Sequence, residues 1–127
     1  MTFQIEMNKV AREIRHELEK HFRRIALVAY QRINEHSPVD QGTFRANWNV
    51  TVDTIDRSFD LSLKKEDFAE RANVVSSVIM NEAKLGTTVV ISNSVPYATR
   101  LENGYSMQHP EGILEPTVDS IVQEIEK

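Results

Sequence analysis

The residues best suited to chemistry are the four histidines, and two of them lie close together in the sequence. His16 is followed by Glu17 and, five positions after His16, by His21. A helical metalloprotease site needs its two histidines four residues apart, on one face. Five helical steps turn the second imidazole about 140° from the first, and two ligands do not complete a zinc site. We therefore predict no metal site here and interpret these side chains as a solvated surface.

His36 and His109 lie beside predicted loops, where an imidazole could act as a general acid or base. Neither is adjacent to a nucleophile motif, and the sequence has no Gly-x-Ser-x-Gly elbow, phosphate-binding loop or dinucleotide fingerprint. The chain also has no cysteine, which excludes thiolate ligands and cysteine nucleophiles. We predict no catalytic residue, no metal and no cofactor. A hydrolase that combines His36 or His109 with Asp40 or Glu102 is a minor hypothesis.

The elements that position these residues are expected to form one domain, because the chain has 127 residues. Hydrophobic residues make up 40% and charged residues 27%, as in a soluble globular protein. The 15 basic and 19 acidic side chains give a net charge of −4, which disfavours a general nucleic-acid binder. The longest apolar run, 25–30, is too short to span a membrane, and the N-terminus has no signal-peptide pattern. We expect no membrane association and a protein that stays where it is made.

The strongest local pattern predicts a helix from about Glu6 to Asn34, because apolar residues recur there every three or four positions without a Gly or Pro. Such a helix is about 40 Å long and exceeds the width of the domain, so part of it projects or packs on another copy. Its charged outer face is either solvated or a subunit contact. Five of its basic residues could instead bind phosphates: Arg12, Arg15, Lys20, Arg23 and Arg24.

The rest of the chain predicts an α+β fold, in which a small antiparallel β-sheet is packed by the long N-terminal helix, a middle helix and a C-terminal helix. Pro38 ends the first helix, and a tight turn leads to Gly42. Alternating residues predict strands at 48–52 and 59–63, and β-branched residues predict a clearer one at 87–93. The middle helix is expected at 66–84, ended by Gly86, with a strand at 74–80 as the alternative. A short helix at 95–104, a loop at 105–112 and a last helix from Ile113, with Pro116 in its first turn, complete the prediction.

Two segments carry recognisable motifs. The first comprises Ser37, Pro38, Val39, Asp40, Gly42, Arg45 and Trp48. The second comprises Asn93, Tyr97, Ala98, Leu101, Glu102, Gly104, Ser106, Gln108, Pro110 and Gly112. Together they resemble the tail-completion, or head-tail joining, proteins of long-tailed double-stranded DNA bacteriophages, which are also described as minor tail components. The chain departs from that pattern at Gln41, where Thr is usual, at Asn103, which replaces an aromatic residue, at His109, which replaces a small residue, and at Pro116, which interrupts a helix.

The resemblance implies a single tail-completion domain over residues 1–127 and a non-enzymatic virion protein in the tail or neck, made in the host bacterial cytoplasm. It implies a ring of six copies at the head-proximal end of the tail, between the tail tube or tail terminator protein and the head-tail connector protein. The genome DNA passes through the lumen without specific binding. The alternative function is a small nucleic-acid-binding regulatory protein that uses the basic face of the N-terminal helix.

The motif residues themselves suit a scaffold. Asp40 can accept backbone N–H groups within the turn that Pro38 stiffens and Gly42 completes. Arg45 is placed to pair with Asp40 or Glu102, because a guanidinium binds a carboxylate through charged hydrogen bonds. Trp48 is expected in the core, and the ring of Tyr97 can pack while its hydroxyl finds a partner. These contacts would hold the two motif segments rigidly against the sheet.

Overall fold

The structure, a computed structural model, describes residues 3–39, 41–98 and 112–126. It confirms the α+β fold with a long N-terminal helix, a middle helix, a C-terminal helix and a small antiparallel sheet. The elements in chain order are α1 (Met7–Glu35), α2 (Thr43–Ala46), β1 (Asn49–Val52), a 3₁₀ turn (Lys65–Asp67), α3 (Phe68–Glu82), β2 (Val89–Ser92) and α4 (Leu114–Glu126).

Helix α1 runs for 29 residues, about 43 Å, within one residue of the predicted bounds at each end. It ends as expected before Pro38, with the N–H of His36 donating to the carbonyl of Arg32. Its two halves differ in burial. Residues 7–21, which we call the bare half, are exposed except for two half-buried positions, whereas residues 22–35, the packed half, are mostly buried or half-buried. The exposed bare half agrees with the prediction that part of this helix projects or packs on another copy, and it does not decide between the two.

The sheet of the described residues has two strands, β1 and β2, which pair antiparallel with Val50 opposite Ile91. The strand predicted at 59–63 is wrong. Phe59 and Leu61 are 46% and 53% exposed, and their segment is irregular. Side chains bind the backbone there in place of a neighbouring strand, since the amide of Asn47 both donates to the carbonyl of Asp60 and accepts from its N–H, at 2.9 and 2.8 Å.

Helix α3 confirms the middle helix, and the alternative strand at 74–80 is wrong because these residues are helical. The helix does not end at Gly86. It ends at Glu82, after which Ala83 is extended and its carbonyl accepts a hydrogen bond from Nε of Arg23 at 2.9 Å. Gly86, with a φ of +90°, lies in the turn that leads to β2. The glycine thus permits the turn rather than the helix end.

The core has two clusters that meet along the packed half of α1. One joins that half to β1 and α3 through Ala26, Val50, Val75, Ile79 and Ala83. The other joins it to the two motif segments through Ile33, Phe44, Trp48, Val95 and Ile113. Tyr30 and Ile91 pack against both clusters, so the packed half is the common wall of the core.

Helix α4 packs antiparallel on the packed half of α1. Thr117, near its start, lies beside His36, and Glu124, near its end, lies beside Arg32 at 3.2 Å. Pro116 lies in its first turn, as predicted. The short helix predicted at 95–104 and the loop at 105–112 lie outside the described residues except for 95–98 and 112, where Pro96 and Tyr97 form a turn. Of the helices in the described ranges, none combines the length and hydropathy needed to cross a membrane.

Candidate functional site

The first motif segment is organised around the buried hydroxyl of Ser37. Nε1 of Trp48 donates to Oγ of Ser37 at 2.8 Å, and Oγ donates in turn to the carbonyl of Ile33 at 2.6 Å. Ser37 is 0% exposed and Trp48 is 5% exposed, which confirms that the indole belongs to the core. Buried hydrogen bonds of this kind are costly to break, because a freed donor cannot reach water. The relay therefore fixes the end of α1 to the start of β1.

Arg45 binds the same serine from another direction. Its Nη2 donates to the backbone carbonyl of Ser37 at 2.9 Å, and its guanidinium lies 5.8 Å from the centre of the Phe68 ring. Burial lowers the pKa of Arg45 below its usual value, and the negative charge of Glu35 partly opposes that shift. The partners predicted for Arg45, Asp40 and Glu102, lie outside the described residues. Arg45 therefore links Ser37, at the start of the first motif segment, to Phe68 of α3.

Gly42 permits a close approach that no other residue could make. Its φ is +93°, in the left-handed region, and a Cβ atom added there would lie 2.7 Å from the backbone nitrogen of Lys65. The same nitrogen donates to the carbonyl of Gln41 at 3.2 Å. The turn that contains Gln41 and Gly42 therefore contacts the 3₁₀ turn that precedes α3, and the absence of a side chain at Gly42 makes this contact possible.

The second motif segment rests on the first. Nδ2 of Asn93 donates to the carbonyl of Phe44 at 2.8 Å, while its Oδ1 accepts from the N–H of Val95 at 3.3 Å. The half-buried ring of Tyr97 lies 6.3 Å from that of Phe44, which in turn meets Trp48 edge-on at 5.6 Å. Burial raises the pKa of the Tyr97 hydroxyl. Asn93 and the three rings thus join the two segments.

The other motif residues divide into two groups. Pro38 and Gly112 are buried, the latter with a φ of +87°, and Val39 and Ala98 are half-buried. The remaining seven lie outside the described residues: Asp40, Leu101, Glu102, Gly104, Ser106, Gln108 and Pro110. The two segments meet through Ser37, Phe44, Trp48, Asn93 and Tyr97, a contact that we call the junction, and the roles of the seven undescribed residues stay a prediction.

Arg71 is a member of the junction that the sequence did not suggest. Its Nε donates to the carbonyl of Ala46, and its Nη2 donates to the carbonyl of Trp48 and to Oδ1 of Asn49, at 3.2, 3.2 and 2.7 Å. Arg71 precedes Val75 by four residues, so it lies on the buried face of α3. The sequence did contain one signal for this role, a charged residue within the apolar stripe of α3, because a buried charge needs hydrogen-bond partners.

His36 links two helices through its side chain. Nδ1 of His36 lies 2.9 Å from Oγ1 of Thr117, whose own hydroxyl donates to the carbonyl of Ile113 at 2.7 Å. Because that hydroxyl is already donating, Nδ1 of His36 is the donor, and the imidazole links α1 to α4. In the parts of the chain that the structure describes, no group of three or more His, Asp or Glu side chains could hold a metal ion. His109 lies outside these parts.

Four of the five basic residues singled out on α1 have partners in the structure. Arg15 lies 4.0 Å from Glu19, Lys20 lies 3.6 Å from Glu17, and Arg24 lies 3.9 Å from Glu124. Arg23 is bound to the end of α3, as described above. These acidic partners weaken the field that a phosphate backbone would meet.

The geometry of the junction is that of a brace, in which hydrogen bonds and packed rings hold two loops together. Comparison of the chain with protein-family models, with curated proteins and with solved structures found no match.

Proposed function

We propose that this chain is a non-enzymatic tail-completion protein of a long-tailed bacteriophage. Copies of it form a ring at the head-proximal end of the tail and join the tail to the capsid connector. The observation that carries the proposal is the contact between the two segments that resemble this family. They lie far apart in the sequence, yet Asn93 of the second binds Phe44 of the first, and Tyr97 packs on the same residue.

A mechanical role gives these residues a physical purpose. A collar between head and tail must keep its shape while DNA passes through it, and shape is kept best by buried polar bonds that have a single arrangement. The relay from Trp48 through Ser37 to Ile33 and the contacts of Arg45 have this property. A reaction centre would instead need a reactive group with access to a substrate.

The remaining features also suit a ring. A ring uses a heterologous interface, in which one patch meets a different patch on the next copy, and the bare half of α1 offers an exposed surface for such a contact. The net charge of −4 repels the phosphate backbone and favours free passage of DNA. The partners in this role are six copies of the chain, the tail tube or tail terminator protein and the head-tail connector protein.

Deletion of the gene from a phage that encodes this chain tests the proposal. We expect filled heads and complete tails that fail to join, seen by electron microscopy, and a loss of infectious particles. Supplying the wild-type protein or the surface variant Ser77→Ala from a plasmid should restore infectivity. A deletion that yields normal infectious particles would reject the proposed function.

The nucleic-acid hypothesis makes a different prediction. A regulator that uses the basic face of α1 should be retained on duplex DNA at low salt and released as salt rises. We expect no retention, because Arg15 and Lys20 lie beside acidic residues of the same helix and Arg24 lies beside Glu124 of α4. Retention at physiological ionic strength that is lost in the double variant Arg12→Ala, Arg15→Ala would favour the regulator instead.

A further inference from the structure

The bare half of α1 carries an apolar stripe that the other described residues of its chain leave exposed. Met7, Ile14 and Leu18 are 67%, 55% and 51% exposed. Their spacing of seven and four residues places all three on one face of the helix. Arg32, fourteen residues after Leu18, lies on the same face and binds Glu124 of α4. The α1 stripe is therefore the continuation of a face that already accepts a helix further along.

Helix α4 carries a second stripe. Val118, Val122 and Ile125 are 56%, 48% and 37% exposed and follow one another at steps of four and three. Glu124, which faces the chain's own α1, is six residues from Val118 and therefore about 120° round the helix from it. The α4 stripe thus points away from the groove in which α4 lies.

The two stripes of one chain cannot meet. Helix α4 runs antiparallel to α1, and its Glu124, near the end at Glu126, reaches only as far as Arg24. The α1 stripe begins six residues, about 9 Å, beyond that point and continues away from α4. Within the residues that the structure describes, no helix of the same chain covers the α1 stripe, which leaves it open to a helix of another molecule.

Charge favours a second copy of this chain as that molecule. Helix α4 has four acidic residues and no basic one. On α1, Arg15 flanks one side of the stripe, and Glu13 and Glu17 flank the other. Asp119 follows Val118 as Arg15 follows Ile14, so the two charges lie on the same side of their stripes. Antiparallel packing brings same-side flanks together and pairs these opposite charges, whereas parallel packing would set acid against acid.

We propose that the α1 stripe of one copy packs antiparallel on the α4 stripe of a second copy. The contact is heterologous, so it repeats from copy to copy and generates a ring if the rotation closes. It places α4 between the α1 helices of two molecules. The inference deepens the proposed function and rests on it for its purpose, since it names the surfaces that join neighbouring copies of the collar.

The absence of cysteine in the chain allows a direct test. Leu18→Cys and Val118→Cys are prepared separately, mixed and treated with a flexible bismaleimide, and the cross-linked peptides are identified by mass spectrometry. We expect position 18 to be joined to position 118 at several-fold higher yield than either position is joined to itself. Ser77→Cys, on the exposed face of α3, replaces Val118→Cys in the matched control and should give only background.

Two results would overturn the contact. Cross-linking of position 18 to itself at the higher yield would mean that α1 stripes pair with each other, and yields no greater than those of the Ser77→Cys control would mean that the stripes do not meet. If either result is found while deletion of the gene still abolishes infectivity, the contact is rejected and the proposed function stands. If the 18–118 cross-link forms but the gene proves dispensable for infectivity, the proposed function is rejected and the contact stands.

The antiparallel arrangement has its own test. Asp119→Lys, added to the Val118→Cys variant, should lower the yield of the 18–118 cross-link about two- to five-fold, since a charge pair at an exposed rim contributes little more than that to binding. Adding Arg15→Glu to the Leu18→Cys partner should restore the yield. Equal yields in all combinations would reject the antiparallel pairing, and circular dichroism spectra of each variant establish that it is folded.

Discussion

The bare and packed halves of α1 have the same apolar period and opposite surroundings. In the packed half, Ala26 and Ile33 are 6% and 5% exposed, whereas in the bare half Ile14 and Leu18 are more than half exposed. The difference arises from the rest of the chain, because α3, β1, α4 and the described parts of the two motif segments all gather at one end of the helix. An apolar period therefore predicts where a helix forms and on which face it is apolar, while the other elements decide whether that face is covered.

The largest expected effect lies where the packed half meets the motif segments. Trp48→Ala removes a buried indole and its hydrogen bond to Ser37, and should lower the free energy of unfolding by about 3–5 kcal/mol. Tyr97→Ala should cost less, because that ring is half-buried. Urea unfolding followed by circular dichroism measures both, and an unchanged midpoint for Trp48→Ala would contradict its place in the core.

The same substitution in both halves compares them directly. Ile33→Ala should destabilise the protein by about 2–4 kcal/mol, because it leaves a cavity between α1 and the second core cluster. Ile14→Ala, measured at low protein concentration, should change stability by less than about 0.5 kcal/mol because its side chain is already solvated. Similar losses for the two variants would mean that the halves do not differ as described.

The hydrogen bond between Trp48 and Ser37 should contribute less to the free energy of unfolding than the buried rings do, but clearly more than a surface hydroxyl. Ser37→Ala leaves Nε1–H of Trp48 without its acceptor in a buried place and should cost about 1–3 kcal/mol. Ser77→Ala, on exposed α3, is the control and should be nearly neutral. Thermal unfolding of the two variants gives the comparison, and a neutral Ser37→Ala would remove the relay from the account.

Ion pairs in the two halves of α1 should also differ in their contribution to stability, by a smaller amount. Arg32 and Glu124 are both mostly buried, with 29% and 27% exposed side chains, whereas Arg15 in the bare half is 69% exposed beside Glu19. Double-mutant cycles to alanine should give a coupling of about 0.5–1 kcal/mol for the first pair and less for the second. A larger coupling for Arg15 and Glu19 would contradict the comparison.

The smallest effect lies in the irregular segment, away from both halves. The hydroxyl and N–H of Ser58 bind the carboxylate of Asp56 and lower its pKa below the ordinary 3.8. A carboxyl whose pKa is lower in the folded state stabilises the protein above 3.8 and loses that contribution as the pH falls through the folded-state pKa. Asp56→Asn should therefore make the stability curve less steep below about pH 4. An unchanged curve would mean that the turn does not hold the carboxylate.

Sequence patterns were most informative where a single element determines the outcome. The period of α1 gave its bounds to within one residue, and the placing of Trp48 in the core is confirmed. The strand at 59–63 failed because alternation reports which residues share a face and not whether a neighbouring strand exists. Here the amides of Asn47 and Asn49 bind the backbone that a strand would have used.

The contacts of the candidate site were harder to predict, because they join residues that are distant in the sequence. The motif located Ser37 and Trp48 but not the bond between them, and it located Asn93 without its acceptor on Phe44. Arg71, 23 residues from Trp48, lay outside both motifs. Such partners depend on how α3 and the sheet pack, and local propensity contains no information on that packing.

The position of Trp48 gives the molecule a built-in optical reporter. It is the chain's single tryptophan, so all indole emission comes from the point where the two motif segments and α1 meet. Indole emission moves to longer wavelength when the ring becomes hydrated. The colour of the fluorescence therefore records whether this junction is closed, and its time course during collar assembly would show whether the brace is already set in the free subunit or tightens on docking.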